Sequence, residues 1–134
     1  MANMKRTRHQ LPRPSEGELE LLRILWERGP STVRDLHEEI ANRRNVGYTS
    51  VLKLLQIMTE KGLVERDENC RPQIYRARHS QEQTQRQLLR DLLDRAFGGS
   101  VRTMVLQALA TKKSTAEELE AIEKFLDRFE GGTK

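Results

Sequence analysis

Cysteine, aromatic residues and long apolar runs are all scarce in this 134-residue chain, and each scarcity excludes something. Cys70 is the single cysteine, which excludes an internal disulfide and a cysteine-cluster metal site. No apolar run exceeds three residues, Ile24-Leu25-Trp26 being typical. That is far short of the ~18 needed to span a membrane. The N-terminus is basic but lacks the apolar stretch of a signal peptide, so a cytoplasmic protein is expected. His9, His37 and His79 are scattered, without the i, i+4 spacing and nearby carboxylates of a metal site. No Ser/His/Asp or Cys/His arrangement is suggested and no glycine-rich phosphate loop occurs, since Gly98-Gly99 sits between helical patterns rather than after a strand. No enzyme is expected, and no metal, cofactor or small-molecule substrate. What remains is a soluble, helix-rich protein, 33% charged.

What the chain does have is an uneven charge. The formal net charge of +4 lies entirely in residues 1–79, which hold 15 Lys and Arg against 11 Asp and Glu, while residues 80–134 hold 9 of each. Residues 1–14 carry Lys5, Arg6, Arg8 and Arg13 with no acid. A basic half beside a neutral half suggests one part that meets a polyanion and one with another task.

Residues 1–13 show no periodicity and read as a flexible basic arm, kept out of a helix by Pro12 and Pro14. Ser15-Glu16-Gly17-Glu18 fits a capping box, and Leu19, Leu22, Leu25 and Trp26 follow at helical spacing as far as Gly29-Pro30. Thr32, with Asp35 three residues on, opens a second helix striped by Val33, Leu36 and Ile40. A third begins near Tyr48-Thr49-Ser50 and runs to Lys61, with Val51, Leu54, Leu55 and Met58 on one face and Ser50, Lys53, Ile57 and Glu60 on the other. Gly62 suits its C-cap. Residues 63–66 and 73–76 are strand-like runs around a turn-rich segment, and so predict a hairpin. Three helices and a hairpin are the order of a winged helix-turn-helix, predicted over residues 14–79.

Residues 80–134 change to a continuous helical pattern. Three helices are predicted, broken at Gly98-Gly99 and at Ser114-Thr115. Their stripes are Leu89, Leu92, Leu93 and Phe97, then Val105 and Leu109, then Leu119, Ile122, Phe125, Leu126 and Phe129. A segment of about 55 residues is too small to enclose three such stripes alone. A second copy would cover them, so this half reads as a dimerisation module. The fold class is therefore mainly α, a winged helix-turn-helix followed by a C-terminal three-helix dimerisation module.

A helix fits the DNA major groove with its N-terminal residues on the base edges. Tyr48, Thr49, Ser50 and Lys53 are the candidates there, although Thr49 and Ser50 could equally serve as helix caps. Arg43 and Arg44, in the loop before that helix, are candidates for phosphate contact, as are Arg71 at the hairpin tip and Arg76 on its second strand. Asp67 and Glu68 at the same tip rank Arg71 ahead of Arg76. Cys70 has no histidine beside it and mixed charge around it, which points away from a functional thiol. The competing reading is a winged helix that scaffolds a protein complex without reading DNA. Direct ligand sensing in the C-terminal half has little behind it, because no polar residues converge among its stripes.

The residues also carry a resemblance. Leu19-Glu20-Leu21-Leu22-Arg23-Ile24-Leu25-Trp26 resembles the first-helix signature of the penicillinase-repressor family of BlaI/MecI-type regulators. Tyr48–Leu55 and Glu60–Arg66 resemble its recognition helix and the start of its wing, and Tyr75 matches the aromatic of its second wing strand. Phe97-Gly98-Gly99-Ser100, Leu106 and Ala116-Glu117-Glu118-Leu119 follow its C-terminal half in order, so the resemblance covers roughly residues 12–130. It implies a homodimeric winged-helix repressor bound to a dyad-symmetric operator in double-stranded DNA. It also implies a membrane sensor-peptidase as partner, with the repressor cleaved in its dimerisation half. The family's cleavage bond is an Asn-Phe peptide in the second C-terminal helix. Aligned here it falls at Gln107-Ala108, which carries neither residue. The paired Cys-x-Cys motifs of the family's copper-responsive branch are absent, which excludes copper sensing by that device.

Overall fold

A computed structural model of the chain describes residues 11–132. Most of the basic arm expected over residues 1–13 lies outside them. In order, the elements are α1 (Glu16–Arg28), α2 (Val33–Ala41), α3 (Tyr48–Lys61), β1 (Val64–Asp67), β2 (Ile74–Ala77), α4 (Gln81–Ala96), α5 (Val101–Thr111) and α6 (Ala116–Gly132). Three helices followed by an antiparallel hairpin make the expected winged helix, and three further helices follow it. No helix among the described residues is long and apolar enough to cross a membrane.

Local chemistry sets the helix ends. Ser15 Oγ accepts from the Glu18 N–H at 3.3 Å, and Glu18 Oε1 accepts from the Ser15 N–H at 2.8 Å, closing a capping box on α1. Thr32 and Asp35 repeat it on α2, and this bonding draws the Asp35 carboxyl below its usual range. Thr115 and Glu118 repeat it on α6. Gly62 ends α3 at φ 82°, a left-handed turn that any side chain would strain.

The strands run one residue later than the sequence predicts. The Leu63 N–H donates to the Met58 carbonyl to close the end of α3, while its own carbonyl accepts from Arg78. The regular ladder therefore starts at Val64, which pairs with Ala77, and ends where Asp67 pairs with Ile74. A feature absent from the sequence reading is a further rung outside the hairpin ladder: Ser31, between α1 and α2, exchanges both backbone hydrogen bonds with Tyr75. Ser31 is itself buried, and its hydroxyl donates to the Gly29 carbonyl. This rung ties the wing to the helices.

The core of the winged unit is Leu21, Leu22, Ile24 and Leu25 of α1, Leu36 and Ile40 of α2, Val51, Leu55 and Met58 of α3, and Leu63, Val64 and Tyr75 beside them. Each such side chain contributes about 1.5–3 kcal/mol by leaving water. Trp26 packs at the edge of this core, and its indole N–H donates to the His79 carbonyl at 3.0 Å, anchoring the chain where it leaves the wing. The first compact unit runs on to Arg90, inside α4, with Thr84 and Gln87 buried on that helix, and the second begins at Asp91.

A partly buried ion pair joins the end of α3 to the start of α1. Lys61 Nζ at the end of α3 lies 2.7 Å from Glu18 Oε1 at the start of α1, and the Glu18 side chain is only 4% exposed. Burial pushes the Glu18 carboxyl up, but the hydrogen bonds from Lys61 and Ser15 outweigh it, and the net shift is downward from 4.5. A carboxylate held below its ordinary value stabilises the fold above that value, and the contribution is lost as pH falls through the lowered one. Glu18→Gln is therefore expected to lower stability at neutral pH and to flatten its decline as the pH falls below 4.5. Urea midpoints measured across that range check this, and parallel curves for variant and wild type would refute it.

Candidate nucleic-acid interface

The start of α3 stands out from the surface with its polar groups uncommitted. Gly47 is the N-cap and offers no side chain, so neither Thr49 nor Ser50 caps the helix. The capping role that the sequence allowed them is excluded, because both lie inside the helix, which begins at Tyr48. Tyr48, Thr49, Ser50 and Lys53 are all exposed. Among the described residues, the Thr49 and Ser50 hydroxyls and the Lys53 ammonium take part in no hydrogen bond or ion pair. Beneath them Val51 and Leu55 are fully buried, so the core fixes which face of α3 looks outward.

The loop before α3 is held from both sides. Arg43 and Arg44 both donate their backbone N–H to the Ile40 carbonyl. The Arg43 side chain is exposed and forms no ion pair among the described residues. Arg44 differs: its Nη2 and Nε approach Glu20 Oε1 of α1 at 2.7 and 3.0 Å. That pairing raises the guanidinium pKa further, and half of the side chain still faces solvent. Sequence reading missed Glu20 as a partner, since the two lie 24 positions apart. Arg43, Arg44 and Arg23 line an open concavity of about 560 Å³ together with Glu16 and Glu20. Positive charge in this loop is thus partly compensated rather than free.

His37 of α2 was also missed as a contributor here. Its Nε2 lies 2.9 Å from the Val46 carbonyl oxygen, and its ring meets the Tyr48 ring edge-to-face. No sequence signal marks this contact, because it forms only when α2 and α3 pack.

The wing adds a second set. Pro72 and Gln73 share a concavity of about 460 Å³ with Thr32, Val33 and Arg34 of α2 and with Tyr48 and Leu52 of α3, so the wing tip borders the helix start. Arg71 beside them is exposed and without an ion pair among the described residues. Arg76 lies 3.8 Å from Asp67 across the hairpin, and Arg66 pairs with Glu68 at 3.0 Å. The Cys70 thiol lies 3.5 Å from Asp67 Oδ2, which pushes its pKa up and keeps it protonated.

The second unit exposes large apolar side chains. Leu92 of α4, Val105 of α5 and Leu119, Ile122, Phe125, Leu126 and Phe129 of α6 are exposed in the single chain, and Leu89, in the first unit's part of α4, is too. Leu93, Phe97 and Leu109 are half-buried. The single chain thus leaves uncovered the α6 stripe that the sequence marked for burial. Gln107 and Ala108 both lie exposed within α5, with the Gln107 carbonyl accepting from Thr111 Oγ1.

Comparison with known proteins agrees with this arrangement. The sequence matches the family described as "Penicillinase repressor" over residues 14–128. A protein named transcriptional regulator BlaI, from two strains of Mycobacterium tuberculosis, is 30% identical over 124 residues, which are 92% of this chain and 89% of the relative. A protein named penicillinase repressor, from Bacillus licheniformis, is 18% identical over 125 residues, which are 93% of this chain and 98% of the relative. These are transcriptional regulators and not enzymes, and on the extent of the match this chain belongs to the penicillinase-repressor family.

Proposed function

We propose that this chain is a sequence-specific transcriptional repressor that binds a dyad-symmetric operator as a homodimer and blocks transcription by occupying it. The observation that carries this reading is the start of α3, whose first two turns expose Thr49, Ser50 and Lys53 with no hydrogen bond or ion pair among the described residues. A major groove accepts a helix presented in this way, with the preceding helix braced on the backbone. Thr49 and Ser50 offer hydroxyls to base edges or phosphates, Tyr48 flanks them, and Lys53 reaches a guanine or a phosphate. Arg43 and Arg71 hold phosphates on either side, with Arg44 and Arg76 contributing charge that Glu20 and Asp67 already share. The winged unit over residues 14–79 and the helical region over residues 80–134 then divide the labour between DNA and a second copy, and the excess positive charge sits in residues 1–13, ahead of the winged unit. In the dimer the two α3 helices enter major grooves about 34 Å apart, or a multiple of that.

The test begins with a duplex pool from which the full chain selects its preferred site. Lys53→Ala should weaken binding to that site by about 1–3 kcal/mol if Lys53 reads a base. If it holds a phosphate instead, all duplexes weaken together and the salt dependence becomes shallower. Unchanged affinity at every salt concentration removes Lys53 from the interface. Failure of the wild-type chain to prefer any palindrome would favour the protein-scaffolding reading.

A further inference from the structure

The start of α3 has no side-chain cap. Gly47 brings no side chain, and residues 42–45 before it are exposed. A helix start whose N–H groups lack a side-chain acceptor frays unless neighbouring elements hold it. One hold is the Arg44–Glu20 pair described above. The other is His37, whose Nε2 lies 2.9 Å from the Val46 carbonyl oxygen. A carbonyl only accepts, so Nε2 carries the hydrogen of this bond. The same ring meets Tyr48 with centroids 5.8 Å apart and planes at 76°, an attractive edge-to-face geometry. One imidazole therefore grips both the residue before the N-cap and the first residue of the helix. Its own backbone is fixed by α2, between the buried Leu36 and Ile40.

We propose that His37 is a positioning residue for sequence reading, tying Val46 and Tyr48 to α2 so that Thr49 and Ser50 meet base edges in register. This rests on the reading of α3 as the recognition helix. Hydrogen-bond distances to bases tolerate only about half an ångström, whereas attraction to the phosphate backbone is long-ranged and forgiving. Loosening the lead-in to α3 therefore degrades discrimination between sequences more than it degrades binding to DNA in general.

The experiment uses the full chain, its selected palindromic duplex and a scrambled duplex, with affinities taken over a salt series. His37→Ala should bind the selected site about tenfold more weakly, or worse, with the scrambled affinity and the salt slope unchanged. His37→Gln, whose side-chain amide can donate to the Val46 carbonyl, should recover part of the loss. Thermal unfolding at the same protein concentration separates this from simple destabilisation. A loss that tracks the unfolded fraction overturns the proposal, as does an unchanged ratio of selected to scrambled affinity. A parallel loss on both duplexes with a shallower salt slope also overturns it, and makes His37 a phosphate contact. If the wild-type chain selects no sequence at all, the reading of α3 fails first and this inference with it.

Discussion

Leu126→Glu is expected to yield a monomer that has lost operator binding while its winged unit stays folded. Leu126 is 53% exposed in the single chain and Phe125 50%, on a helix whose Leu119, Ile122 and Phe129 are exposed as well. Phe125 and Phe129 stack edge-to-face at 5.0 Å, and Arg128 lies 5.6 Å from the Phe125 ring centroid, so the aromatic pair is ordered yet uncovered. Apolar patches of this kind are rarely left to water in soluble proteins. In the proposed dimer a second copy covers them, and a carboxylate placed there without a partner costs several kcal/mol. One reading head makes few phosphate and base contacts, so operator affinity should fall about a thousandfold or more, toward non-specific levels. Sedimentation measures the mass and gel shift the affinity. Trp26, the single tryptophan, reports on the winged unit through its fluorescence. A variant that still sediments as a dimer and holds the operator would remove α6 from the interface. A variant that is monomeric but binds undiminished would show that one head suffices.

Which parts of this molecule were legible in the sequence follows from the range of the interactions concerned. Capping boxes at Ser15–Glu18, Thr32–Asp35 and Thr115–Glu118 close over three positions, so the residue types announce them. The buried stripe of α3 is equally local, since helical period alone puts Val51, Leu55 and Met58 on one face. The start of α3 was less legible: Thr49 and Ser50 suggested a cap, and the chain uses Gly47 instead. Interactions that join distant positions left no trace. Lys61 meets Glu18 across 43 positions and Trp26 meets His79 across 53. The isolated bridge from Ser31 to Tyr75 is of the same kind, being a backbone pairing without a side-chain signature. For the candidate interface the consequence is specific. Sequence gave the cations, but their partners Glu20 and Asp67, and the His37 contact behind Tyr48, exist only in the packed fold.

The second large effect separates the two faces of α3. Leu55 is fully buried in the core of the winged unit, and Lys53, two positions earlier, is exposed. Leu55→Ala removes packing and leaves a cavity, which should cost about 2–5 kcal/mol. Small domains have only about 5–15 kcal/mol in total, so the midpoint of thermal unfolding should drop by about 10 °C or more. Lys53→Ala, at an exposed side chain with no hydrogen bond or ion pair among the described residues, should stay within about 0.5 kcal/mol of wild type. The comparison must hold protein concentration fixed, because any dimer stabilises by mass action. Where Leu55→Ala remains folded, its affinity per folded molecule for the selected duplex should match wild type, since the outward face keeps its residues. Lys53→Ala should show the reverse pattern, full stability with weakened binding. A Leu55→Ala variant as stable as wild type would contradict the core assignment. One that is folded yet has lost sequence preference would mean that the packing under α3, and not its exposed first turn alone, sets the register of reading.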